Sequence, residues 1–103
     1  MKIKVERNKI VKALKDLEGV EIALENAGDA KEALDLILKK SQLFKGADGK
    51  KLKDIKVTAA QEYKTSSVEY DLVFTLDFVF ASGVFTETKI ALIKEVQDFF
   101  GKY

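Results

Sequence analysis

A chain of 103 residues, 47% hydrophobic and 34% charged, holds enough material for one core and too little for two. Cys, His, Trp and Pro are all absent, which excludes disulfides, thiolate nucleophiles, imidazole bases and the usual zinc, haem and iron–sulfur ligand sets. The net charge of +1 excludes a general attraction to polyanions but conceals blocks of +5 (residues 1–15), −6 (16–35), +5 (39–56) and −3 (57–103), whose local fields can orient a partner.

Lys2 to Glu6 alternates, with Ile3 and Val5 on one side, and predicts a first strand. Asn8 is placed to cap the helix behind it, in which Ile10, Ala13, Leu14 and Leu17 recur at helical spacing, and Gly19 is placed to end that helix. In Val20 to Glu25 the alternation of Val20, Ile22 and Leu24 between Gly19 and Asn26–Gly28 favours a short strand over continuation of the helix. Asp29 and Glu32 have the spacing of a capping box, and Ala30, Ala33, Leu34, Ile37 and Leu38 form the stripe of a second helix running to about Phe44.

Lys45 to Lys53, K-G-A-D-G-K-K-L-K, reads as a solvated loop. Its Gly-rich centre lacks both the G-K-[ST] ending of a Walker A loop and the spaced ligands of an EF-hand. Asp54 to Lys64 alternates again, and Val68 to Phe80 is the most sharply patterned stretch in the chain, apolar at every even position. A hairpin with a four-residue loop, Thr65 to Val68, sets Lys64 against Glu69 and Lys56 against Asp77, avoiding the like-charge pairs of a two-residue loop. That register stacks Ile55, Val57 and Ala59 beside Phe78, Leu76 and Phe74. Ser82 and Gly83 end the strand, and Thr86 or Thr88 is placed to cap a last helix with Leu92, Ile93, Val96, Phe99, Phe100 and Tyr103 in one wide stripe.

The fold expected is α+β in a single domain, residues 1–103: an antiparallel sheet of three or four strands around a long hairpin, with helices at 29–44 and 87–100 on one face. The longest uncharged run, Phe78 to Thr86, is nine residues, against the roughly 20 that a membrane-spanning helix needs. With no apolar stretch of signal-peptide length near the amino terminus, the expected location is the cytoplasm or a virion.

Three surfaces are candidates for function. Val73 and Val79 break the polar outer face of the long strand, and with Val84 and Phe85 they form a candidate protein interface, to another protein or to a second copy. Lys39, Lys40, Lys45, Lys50, Lys51 and Lys53, with Lys56, form a candidate polyanion contact; they come without arginine and with Phe44 as the sole interleaved aromatic, so nucleic acid is the second expectation. Glu69, Asp71 and Asp77 share the strand's outer face, where alternating acids are ordinarily solvated and only an adjacent pair in a pocket would support carboxylate catalysis. The leading expectation is a non-enzymatic interaction or assembly module without metal or cofactor.

Two short resemblances add little to this. Met1 to Leu14 resembles the strand-then-helix opening of bacterial sliding clamps, whose many further strands this chain has no length to supply. Asp48 to Val57, behind a helix, is similar to the helix, G-x-L and strand arrangement of some head–tail joining proteins of tailed phages, but the Pro and the later acidic glycine motif of that family are missing. Neither names a family.

Overall fold

The computed structural model describes residues 1–64 and 70–103, and the side chains of 1–58 and 71–103. Within these residues, three helices and a three-stranded antiparallel sheet make an α+β fold: β1 (Lys2–Glu6), α1 (Arg7–Glu18), α2 (Ala27–Lys40), a 3-10 turn (Ala47–Lys51), β2 (Leu52–Lys64), β3 (Tyr70–Phe80) and α3 (Thr86–Gly101). The strand order is β1-β3-β2, so the most strongly alternating segment is the central strand and the other two are edges.

The alternation decides which side of the sheet is dry. Phe74, Leu76 and Phe78 are buried, and with Val5 and Ile55 they join one cluster to which α1 gives Ile10, Ala13 and Leu14, α2 gives Ala30, Ala33, Leu34 and Ile37, and α3 gives Ile93, Val96 and Phe100. At about 1.5–3 kcal/mol for each large apolar side chain taken out of water, this cluster is the main stabilising term of the fold. The other side of the sheet carries Lys2, Lys4, Glu6, Asp54, Lys56 and the odd residues of β3.

Lys56 pairs with Asp77, Ile55 with Phe78 and Val57 with Leu76, as the charge argument predicts. Beyond Val57 the register shifts by one, so that Ala60 rather than Ala59 lies beside Phe74 and Lys64 lies beside Tyr70. A bulge places an extra residue, Thr58, in the edge strand and turns Ala59 to the row of Thr75. The expectations for Thr65 to Val68 and for Glu69 lie outside the described residues.

Local chemistry moves several helix ends. The α1 helix begins at Arg7 with no side-chain cap, so Asn8 lies inside it, and Gly19 ends it at φ 68°, a left-handed conformation that glycine adopts without cost. The capping box of α2 sits three residues earlier than expected: Asn26 Oδ1 accepts from the Asp29 amide at 2.9 Å and Asp29 Oδ2 accepts from the Glu25 amide at 3.1 Å. The same helix stops at Lys40, not Phe44; Phe44 adopts φ 60° and the chain folds back until Gly49 lies against its carbonyl. Phe85, rather than Thr86 or Thr88, holds the N-cap position of α3.

Val20 to Glu25 forms no strand. Leu24 is fully buried and Ile22 packs against the core, so the alternation reports burial of the α1–α2 connection and not backbone pairing.

Candidate functional site

The two edges of the sheet are treated differently. The strand β3 donates its Phe78 amide to the Met1 carbonyl at 2.9 Å; in an antiparallel ladder every second residue faces the same neighbour, so the main-chain groups of Lys2 and Lys4 point away from β3 to the open edge of β1. By the same alternation the Ile55 main chain points to the open edge of β2. There it is closed by side chains: Asp54 Oδ1 accepts the Ile55 amide at 2.8 Å, and Lys31 Nζ of α2 donates to the Ile55 carbonyl at 2.6 Å and to Asp54 Oδ1 at 2.8 Å. Asp35 completes the set at 3.1 Å from Lys31 Nζ.

This cluster displaces two titrations. Burial pulls the Lys31 ammonium down as its largest single influence, but the hydrogen bonds and charges of Asp54 and Asp35 together outweigh it and leave the group above its ordinary value. The hydrogen bond from Lys31 holds the Asp54 carboxyl below its ordinary value against an opposing desolvation.

Asp71 works in the same way one strand over. Past the end of β1, the Leu72 amide donates to Asp71 Oδ1 at 2.7 Å, and Arg7 Nε of α1 lies 2.6 Å from the same carboxylate oxygen. With 14% of its side chain exposed, Asp71 is a cap on the sheet rather than a solvated acid. Asp77, whose strand neighbours are Lys2 and Lys56, faces the amino-terminal ammonium at 3.7 Å. Asp71 and Asp77 are six residues apart on one strand, about 20 Å at the usual rise, and each is matched by cations. Among the described residues no group of three or more acids is placed to hold a metal ion.

Of the candidate interface residues, Val73, Val79 and Val84 are half-buried and Phe85 is 75% exposed. Val73 stands apart: Thr75 and Asp77 separate it from Val79 on the same face. Val79, at the end of β3, is followed by a turn at Gly83 (φ 76°) and then by Val84 and Phe85, and Ile90 in the second turn of α3 is 53% exposed. Nothing in the sequence pattern marks Ile90, which lies at the margin of the buried stripe of α3 and differs from it only in what covers it.

The lysines of the 39–56 segment are all exposed. Lys51 is paired with Asp48 at 2.7 Å; among the described residues no carboxylate lies within 4.0 Å of Lys39, Lys40, Lys45, Lys50 or Lys53. Lys39 and Lys40 occupy the last turn of α2, where they oppose the helix dipole.

The chain matches no family model, no curated protein and no solved structure. No helix among the described residues is long and apolar enough to cross a membrane.

Proposed function

We propose that this protein is a non-enzymatic assembly module that associates with a second copy of itself through the end of β3 and the segment leading into α3. The observation that carries the reading is the exposed Phe85, with Ile90 exposed nearby in sequence and half-buried Val79 and Val84 on the approach. A large aromatic left three-quarters in water offers anchor area at small entropic cost when a partner covers it. A second copy suits the surface because the adjoining outer face carries both signs, Lys2 and Lys56 beside Asp77 and Asp54, and a mixed-charge patch complements itself across a two-fold axis.

The test is sedimentation over a concentration series of the wild-type chain and of Val79→Glu with Phe85→Ser. A self-associating wild type and a folded, monomeric variant are the expected results. A wild type that stays monomeric, or a folded variant that assembles as before, overturns the reading.

A second reading rests on the exposed lysines at 39, 40, 45, 50 and 53, which have no carboxylate partner among the described residues. Nucleic-acid binding by this cluster predicts affinity that falls steeply with salt, and a gel-shift titration at two salt concentrations with no complex at either removes it.

A further inference from the structure

We infer that the open edge of β1 is a docking site for an extended peptide of another protein, added to the sheet as a fourth strand and carrying acidic and apolar side chains in alternation.

The edge is unlike its counterpart. On β2 the outward-facing main chain of Ile55 is closed by Asp54 and Lys31, and the register shifts twice along the strand, at Lys53 and Thr58, which are means by which edge strands avoid pairing. On β1, among the described residues, no side chain closes the outward-facing amides and carbonyls of Lys2 and Lys4, and the pairing with β3 runs without a shift from Lys2 to Glu6. Beside this edge lies a groove of about 190 Å³ lined by Ile3, Lys4, Val5, Glu6, Lys9, Gln97, Phe100 and Gly101. One wall is thus four consecutive residues of a strand edge and the other is the last turn of α3. That is smaller than the roughly 300–1,000 Å³ of sites for drug-sized molecules, and a strand edge facing a helix is the geometry in which peptides bind by main-chain hydrogen bonds.

The side chains specify the peptide. Residues added opposite Lys2 and Lys4 lie on the outer face next to two exposed ammonium groups, where cross-strand pairing favours acids. Residues opposite Ile3 and Val5 point to the other side, toward Phe100 in the groove, where apolar groups are favoured. Lys9 adds a further positive charge and Glu6 a single negative one at the α1 end. The surrounding residues 1–15 hold six bases and one acid, so long-range attraction also selects an acidic segment. This site shares only Lys2 with the outer face beside the β3–α3 surface, and it stands or falls without the proposed function.

The experiment selects a displayed library of random ten-residue peptides on the immobilised full chain, then follows synthetic copies of enriched peptides by amide chemical shifts. The expected result is enrichment of alternating acidic and apolar sequences that shift Lys2 to Glu6, Gln97 and Gly101 and bind more weakly as salt is raised. Two variants interrogate the site. Lys4→Pro removes an outward-facing donor at an edge position where proline is tolerated, and Gly101→Trp fills the groove from a position whose added Cβ meets nothing within 4 Å. Each, folded by circular dichroism, lowers peptide affinity about tenfold or more. No enrichment, shifts confined to other surfaces, or undiminished binding by either folded variant overturns the proposal. Concentration-dependent shifts of Lys2 to Glu6 without peptide also overturn it, in favour of a second copy on this edge.

Discussion

Lys31 of α2 reaches around the edge of the sheet to place its ammonium 2.6 Å from the carbonyl of Ile55 in β2. The contact joins helix to strand and also ends the ladder, because that carbonyl points to the side where another strand would bind. Asp54 supplies the matching acceptor for the Ile55 amide and the counter-charge for Lys31.

The charge of Asp54 makes this latch pH-dependent. Its carboxyl is held below the ordinary value of 3.8 in the folded chain, so its stabilisation is complete above that value and is lost as pH falls through the lower folded one. Lys31 contributes in the opposite range: raised above 10.5, it stabilises below that pH and loses its contribution as pH rises through the higher folded value. Asp54→Asn keeps an acceptor for the Ile55 amide and removes only the charge. Its urea-unfolding free energy is expected to fall short of wild type near neutrality and to converge with it in strong acid. With the Asp54 side chain 46% exposed, the neutral-pH gap is about 1 kcal/mol at most.

Arg7 and Asp71 give a second, more buried test of the same device. Arg7→Met leaves a carboxylate with 14% exposure facing no cation among the described residues, a cost of about 1–3 kcal/mol. Asp71→Asn added to it still accepts the Leu72 amide and removes the stranded charge, so the double variant is expected to be more stable than Arg7→Met alone. A double-mutant cycle in urea with a coupling near zero contradicts the assignment.

How far the sequence discloses this arrangement depends on what each device leaves in the pattern. The alternation of β3 is visible because a half-buried strand must place apolar groups at every second residue, and the pairing of Lys56 with Asp77 follows from charge alone. The bulge at Thr58 leaves no such mark: an ordinary strand residue occupies it, and only the observed pairing shows the slip that moves Ala59 out of the row of Phe74. Val20 to Glu25 misleads for a related reason, since a connection that buries Leu24 and packs Ile22 against the core while Val20 stays exposed has the same period as a paired strand. Asp71 reads as a wet-face acid because its partner, Arg7, is distant in sequence, and nothing beside Asp54 points to Lys31 for the same reason. Phe85 and Val79 are visible as apolar residues, but exposure is a property of the assembled fold.

Gly49 explains why the Lys-rich loop has one shape. A Cβ at this position would overlap the Phe44 carbonyl oxygen and stand 2.9 Å from its Cβ, and both groups belong to a turn already committed to φ 60° at Phe44. Gly49→Ala therefore forces the turn apart and is expected to cost about 2–4 kcal/mol in equilibrium unfolding. Gly46→Ala, whose added Cβ meets nothing within 4 Å, is the control and is expected to change stability by no more than about 0.5 kcal/mol.

Two phenylalanines separate folding from the proposed association. Phe74 is fully buried at the centre of the core, where replacement by Ala leaves a cavity that the sheet and helices cannot close, at about 3–5 kcal/mol. In a domain whose whole stability is on the order of 5–15 kcal/mol, that lowers the melting temperature by tens of degrees at about 4–8 °C per kcal/mol. Phe85 is 75% exposed and contributes little to the same core, and because it holds the N-cap position of α3 without a side-chain cap, Phe85→Ser supplies a better cap and is expected to leave monomer stability unchanged or raise it by about 1 kcal/mol. If the end of β3 mediates assembly, Phe85→Ser weakens self-association without lowering the denaturation midpoint at dilutions where both chains are monomeric. A large fall in that midpoint would instead make Phe85 part of the fold and remove it as the anchor of an interface.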